Sequence, residues 1–119
     1  MSAADCLFCK IVAGDIPATV VHETETTLAF RDLNPQSAVH VLVVPRTHYE
    51  DAEELAKADP QVLADVLTTA AEVARREGID QTGYRVVFNT GEHAGRTVFH
   101  AHLHVLGGER LGLFGRPTG

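Results

Sequence analysis

The chain has 119 residues, the size of one compact domain, and 45% of them are hydrophobic, enough for a packed interior and too many for a disordered segment. Its formal net charge of −6, histidines counted neutral, argues against polymeric nucleic acid as a partner, but leaves room for a small nucleotide held by backbone N–H groups. No apolar stretch approaches the ~20 residues that span a bilayer, and Met1-Ser2-Ala3-Ala4-Asp5 has neither the basic segment nor the apolar run of a secretion signal, so the expectation is a cytoplasmic protein with no membrane partner.

In chain order, Cys6 to Ala13 reads as a short helix ended by Gly14, with Pro17 blocking its continuation. It holds the only two cysteines, Cys6 and Cys9, a pair that in a reducing compartment is metal-binding or redox-active before it is a structural disulfide. Val20 to Glu23 and Thr27 to Phe30 are short β-prone runs around Thr24-Glu25-Thr26, a predicted hairpin. Asp32 to Ser37 has the composition of a loop. His40 to Val44 is a nearly continuous apolar strand stopped by Pro45, which predicts cover on both faces. Asp59 as N-cap and Pro60 at the first position open the main helix; its apolar stripe is Leu63, Val66, Leu67, Ala70 and Val73, and Gly78 ends it. Tyr84 to Phe88 is predicted as a strand, Asn89 to Arg96 as a glycine-containing loop, and Val98 to Leu106 as the last strand. From Gly107 to Gly119 the chain is rich in glycine and without period. Hairpin-length connections, and one long connection carrying the main helix, predict an α+β domain with an antiparallel sheet packed by helices. The two-sided apolar strand and the tail leave room for a second subunit over part of the sheet.

The last strand carries His100-Ala101-His102-Leu103-His104. Side chains alternate along a strand, so the three imidazoles share one face and Ala101, Leu103 and Val105 the other. An exposed polar face that merely uses histidine is the plain explanation, but Ser, Thr or Lys would serve it equally well. Two chemical readings stand beside it. The rings bind a catalytic metal with water in its open position, or one ring is a nucleophile toward phosphorus and the others orient it and the substrate. The loop Gly91-Glu92-His93-Ala94-Gly95-Arg96-Thr97 supplies backbone N–H groups and a hydroxyl for phosphate oxygens.

Asn89-x-Gly91, Gly95-x-Thr97-Val98-Phe99 and the run from His100 through His102, His104 and Val105-Leu106 to Gly107-Gly108 resemble the histidine-triad (HIT) nucleotide-binding proteins, in particular their Hint-like phosphoramidase branch. Upstream, Phe8-Cys9-Lys10-Ile11, Gly14-x-Ile16-Pro17, Leu28-Ala29-Phe30-x-Asp32-Leu33-x-Pro35-Gln36, His40 to Pro45 and His48 fall in the family's order and spacing. The likeness runs from residue 6 to about 108 of what reads as one domain, 1–119. The tail 109–119 diverges: relatives commonly end in Trp-Pro-Pro-Gly, and this chain ends in Arg116-Pro117-Thr118-Gly119.

The resemblance implies a HIT fold: a five-stranded antiparallel sheet with two helices, pairing into a ten-stranded sheet in a homodimer. It implies hydrolysis of a purine nucleoside phosphoramidate or acyl-nucleotide through a nucleotidyl-histidine, releasing nucleoside monophosphate. A nucleotide-binding protein with little turnover, or a dinucleoside polyphosphate hydrolase, are the alternatives. The catalytic set carried over is His102 as nucleophile, His104 on the phosphate, His40 behind the triad to fix the tautomer or relay protons, and His100. Asp32 would hold the ribose hydroxyls, and Phe8, Ile11, Phe30 and Leu33 would line the base pocket. Asn89, Gly95, Arg96 and Thr97, with His102 and His104, would contact the phosphate and leaving group; Arg96 stands where the family usually has Gln. His22 and His93 read as surface histidines. For the cysteine pair a thioredoxin-like motif fits poorly at the chain start, since it follows a strand of a βαβ unit. Buried thiols are one alternative. The other, which the resemblance implies, is a structural zinc held by Cys6, Cys9, His48 and His100, with no catalytic metal.

Overall fold

A computed structural model describes residues 5–113 and 115. The elements are α1 (Leu7–Val12), β1 (Val20–Glu23), β2 (Thr27–Arg31), β3 (Val39–Pro45), α2 (Ala52–Ala58), α3 (Pro60–Arg76), β4 (Tyr84–Phe88), a 3₁₀ turn (Glu92–Ala94) and β5 (Leu103–Gly107). The strands form a five-stranded sheet in the order β1-β2-β3-β5-β4, antiparallel throughout. This is the α+β class and the antiparallel sheet that the sequence predicts.

Cross-strand partners share a face, and the sheet sorts its side chains accordingly. Val41 and Val43 of β3 lie opposite Val105 and Leu103 of β5, and all four enter one core with Val66, Ala70 and Val73 of α3 and Leu55 of α2. Leu42 and Val44 point the other way, where they meet Leu28, Phe30, Cys6 and the Phe8 ring of α1. Each such Val or Leu contributes about 1.5–3 kcal/mol of apolar burial. The two-sided cover of β3 therefore comes from α1 and α3 of the same chain and calls for no second subunit.

The main helix begins as expected: Asp59 Oδ1 accepts the Val62 N–H at 3.2 Å, with Pro60 in the first turn. It ends at Gly78, whose φ of +72° lets Gly78 N–H reach Arg75 O and Ile79 N–H reach Ala74 O, a Schellman ending. Of the predicted stripe, Leu67 is turned outward at 45% exposure, and Thr69 is buried in the helix's inner face, bonded to Thr27 of β2 at 2.8 Å.

One element and one strand start differ from the sequence reading. Helix α2 was not predicted; only Leu55 of it is buried, so it has no apolar period to read. Its start is fixed by Asp51, which accepts the Glu54 N–H at 2.9 Å. The last strand begins at Leu103, not Val98. The residues before it leave the ladder for the β3–α2 connection, where Ala101 N–H bonds Tyr49 O at 2.7 Å and His100 bonds the Pro45 carbonyl. At the other end of β5, Gly107 admits the α3–β4 connection: a Cβ there would lie 2.8 Å from Ile79 Cδ1 and 3.3 Å from Gly83 O. Of the divergent tail, positions 114 and 116–119 lie outside the described residues; Gly112 O accepts a hydrogen bond from Arg85 at 3.1 Å. No helix among the described residues is long and apolar enough to cross a membrane.

Candidate active site

The three triad rings lie on the α1 face. His104 pairs across from Leu42, and the Phe8 ring stands edge-on to His102 at 5.0 Å and to His100 at 6.0 Å between centroids. Ala101, Leu103 and Val105 fill the α3-side core, so the apolar half of the alternation anchors the strand while the other half presents imidazoles. The rings do not converge on one point. His100 is fully buried and turned toward the two thiols; His102 and His104 are adjacent, with centroids 5.0 Å apart.

Hydrogen bonds fix the proton on each ring, because a neutral imidazole has one donor and one acceptor nitrogen. His102 Nδ1 lies 2.8 Å from the His100 carbonyl, which only accepts, so Nδ1 carries the proton and Nε2 keeps a free lone pair. Gln36 N–H donates to His40 Nδ1 at 3.0 Å, so the His40 proton is on Nε2. That Nε2 lies 2.8 Å from His104 Nδ1 and donates to it, with Asp32 Oδ2 at 3.5 Å from the same nitrogen. His104 must then carry its proton on Nε2, a buried N–H with no hydrogen-bond partner among the described residues. An unmatched buried donor costs about 1–3 kcal/mol unless another group accepts from it. The site thus offers a lone pair at His102 beside a donor at His104.

Burial keeps these rings neutral. It pushes His104 down to about 4, with the charges of His102 and His40 acting in the same direction and Asp32 against it. Burial also lowers His102, opposed by the His100 carbonyl and Asp32, and lowers His40, opposed by Asp32. Ligand atoms of Asp32, His40 and His104 lie within 4.8 Å of one another. Two nitrogens on one tetrahedral ion would be about 3.4 Å apart, however, and the His40–His104 separation of 2.8 Å is that of a hydrogen bond. The trio is a hydrogen-bonded chain rather than a set of metal ligands.

Around the rings the predicted binding residues fall unevenly. Phe8 and Phe30 are buried and in edge contact at 5.6 Å, forming an aromatic floor that is also core, with Ile11 half-buried beside them. Leu33 stands 97% exposed and is not brought against the others. Asp32 is half-buried and also closes its own turn, accepting the Asn34 N–H at 2.7 Å. Asn89 is half-buried and Thr97 exposed, at the two ends of the 3₁₀ loop. Arg96 lies against the Phe99 ring and near Asp51. His93 is exposed and His22 half-buried. Two contributors were missed from sequence: the Gln36 backbone N–H, for which no side-chain signal exists, and Asp51, whose Asp-x-x-Glu capping spacing was there to be read. A cavity of about 840 Å³ lies beyond the far end of β5, among Val39, Ile79, Tyr84, Gly108 and Leu111, and no triad residue lines it.

Cys6, Cys9, His48 and His100 form a separate cluster whose ligand atoms lie within 4.8 Å of one another. Cys6 Sγ is 3.4 Å and Cys9 Sγ 3.5 Å from His100 Nδ1, and Cys9 Sγ is 3.3 Å from His48 Nδ1. A tetrahedral zinc with sulfur at ~2.3 Å and nitrogen at ~2.0–2.1 Å sets S···N separations of about 3.5 Å, so the four residues fit one ion. The His100 Nε2–H donates to Pro45 O at 2.9 Å, which leaves Nδ1 as the lone pair facing the thiols. Burial pushes the Cys9 thiol up to about 11, with the neighbouring Cys6 acting in the same direction, and pushes His100 down to about 4. A bound cation would reverse the thiol preference, since a coordinating thiol is deprotonated.

This five-stranded antiparallel sheet, with the histidine triad running into β5 and an imidazole lone pair beside an imidazole donor on one face, is that of the HIT proteins, and the chain belongs to this family: the HIT domain model matches residues 13–111. Among its relatives is a purine nucleoside phosphoramidase of Escherichia coli (strain K12), 37% identical over 110 residues, which are 92% of each chain. A 14 kDa zinc-binding protein of Zea mays is 43% identical over 108 residues, 88% of this chain and 83% of that one. The crystal structure of a HIT family hydrolase from Legionella pneumophila Philadelphia 1 superposes with a TM-score of 0.85 at 45% identity, covering 89% of this chain and 95% of the other.

Proposed function

We propose that the protein is a hydrolase of purine nucleoside phosphoramidates or acyl-nucleotides that works through a nucleotidyl-histidine on His102. The observation that carries this reading is the pairing of the His102 Nε2 lone pair, set by the 2.8 Å bond from Nδ1 to the His100 carbonyl, with the unpartnered His104 Nε2–H beside it. Similarity to the Escherichia coli phosphoramidase supports the substrate class. His102 Nε2 attacks phosphorus; the P–N bond breaks as the P–Nε2 bond forms, the departing nitrogen taking a proton from solvent and leaving as the amine, while His104 Nε2–H donates to a phosphoryl oxygen. Water then attacks phosphorus, the P–Nε2 bond breaks, and nucleoside monophosphate leaves. Overall one water is consumed, its oxygen ending on phosphorus and its protons on the amine. The nucleoside would lie over Phe8 and Phe30, with its ribose toward Asp32.

Cys6, Cys9, His48 and His100 would hold a structural zinc, which closes a tetrahedral shell and leaves no open position for substrate. The second subunit of a homodimer would meet the β4 edge. Replacing His102 with Ala tests the central assignment. Turnover of an adenosine 5′-phosphoramidate should fall by at least about a thousandfold while AMP binding stays largely intact, because the nucleophile serves the chemical step more than ground-state affinity. Near-normal kcat in His102→Ala would remove His102 from the role. AMP bound by a wild-type protein that turns over no phosphoramidate would favour a binding protein instead.

A further inference from the structure

The His40 and His104 rings could share their hydrogen bond in either of two directions. In the structure His40 Nε2–H donates to His104 Nδ1 at 2.8 Å, and His104 presents an N–H at Nε2. With the proton on Nδ1 of both rings, the same bond would run from His104 to His40, and His104 would present a lone pair instead. Two groups select the first direction. The Gln36 N–H, which can only donate, lies 3.0 Å from His40 Nδ1, and the Asp32 carboxylate stands 3.5 Å from His40 Nε2.

The Gln36 amide takes its direction from the loop 33–38 between β2 and β3. Side-chain bonds around that loop are mostly local. Asp32 accepts the Asn34 N–H at 2.7 Å, Gln36 Nε2 donates to Asn34 O at 3.0 Å, and Ser37 Oγ donates to Val39 O at 2.6 Å. Among the described residues, the group that reaches the loop from a distant part of the chain is Glu109. Its Oε2 accepts the Ala38 N–H at 2.6 Å across 71 positions of sequence. The backbone approach beside it is close, since a Cβ on Gly108 would lie 3.0 Å from Val39 Cγ2 and 3.1 Å from Ala38 Cβ. Val39 pairs with Gly107, so the Glu109 bond closes the end of the strand pair that carries both rings, His40 on β3 and His104 on β5. Glu109 is also the first residue of the tail that diverges from the family pattern.

We propose that Glu109 is a positioning residue: by holding Ala38 it aims the Gln36 N–H at His40, and so selects the arrangement in which His104 offers a donor. Its effect on catalysis rests on the phosphoramidase reading above, in which His104 Nε2–H donates to a phosphoryl oxygen. Its effect on the rings does not depend on that reading.

The test reads the ring nitrogens by NMR in the substrate-free protein at neutral pH, where burial keeps both rings uncharged. Wild type should show the proton on Nε2 of His40 and of His104. In Glu109→Ala both rings should shift together toward the Nδ1–H arrangement, and hydrogen exchange at the Gln36 and Ala38 amides should quicken. The kcat/KM for an adenosine 5′-phosphoramidate should fall by about threefold to tenfold, the reach of one exposed hydrogen bond. Glu109→Gln, whose side-chain carbonyl can accept the same N–H, should restore the ring signals and most of the rate. Glu109 is exposed, so neither change opens a cavity in the core. Ring signals in Glu109→Ala that match wild type would overturn the proposal, whether or not the amides exchange faster or the rate falls, because Glu109 would then only fasten the tail. A wild-type His40 protonated on Nδ1 would overturn it as well. An absence of wild-type turnover counts against the phosphoramidase reading, while the ring signals still decide the role of Glu109.

Discussion

A neutral imidazole has one proton and one lone pair, so a hydrogen bond at one nitrogen decides what the other presents. At His102 the deciding partner is the carbonyl of His100, two residues back; at His104 it is His40, itself set by the Gln36 N–H. The spacing of the histidines and the face they share could be read from alternation. Which nitrogen faces a substrate could not, because backbone groups decide it and their direction depends on the fold. The same rings predict the pH dependence. Burial holds His102 below its ordinary value and His104 at about 4, so the neutral, active forms persist as pH falls past 6.5 and are lost only below it. The acid limb of kcat/KM should therefore be centred below pH 6.5, with full activity above. A limb centred at or above 6.5 would show that these rings titrate as ordinary solvated histidines.

At the scale of elements, α1 is only six residues long and too short to persist alone, yet it carries Cys9 and Phe8, and it begins at the Cys6 cap. It is held from two sides, by the Phe8 and Phe30 contact and by the cluster that links it to His48 and His100. Because His100 begins the triad, a metal there would tie α1 to the segment that carries His102 into β5. Cys9→Ser should abolish zinc binding and lower Tm by at least about 5 °C, since metal-binding free energy contributes to folding. A zinc-free wild-type preparation that melts at the same temperature as the zinc-loaded one would contradict a structural ion. The main helix and the hairpin were legible because caps and apolar period agree with their tertiary role. Helix α2 and the start of β5 were not: the first buries a single leucine, and the second is cut short by bonds from Ala101 and His100 to residues more than fifty positions away.

In the whole molecule, β4 is the outer strand of the sheet next to β5, and α3 packs on β2, β3 and β5. Val86 shares the face of Val105, toward the α3 side, and remains 41% exposed; Leu67 on α3 is 45% exposed. Apolar groups on an open strand edge favour pairing with a second chain, and a two-fold contact brings each close to its own copy. Twice the chain mass is the expected result in dilute solution, and a single-chain mass would remove the dimer. The sheet order itself, with the last strand inserted between β3 and β4, follows from no local pattern. Antiparallel strands and hairpin-length connections restrict the topology without selecting one, and the resemblance carried by residues spread from Phe8 to Gly108 implies five antiparallel strands but not their order.

Turnover through His102 requires a transient covalent bond between its imidazole and phosphorus, which intact-protein mass after rapid quenching with an adenosine 5′-phosphoramidate would detect. A transient gain of one adenylyl group is expected, mapped by peptide analysis to His102 and absent from His102→Ala. Amine release in the first turnover with no adduct at any quench time, or an adduct on another residue, would contradict it.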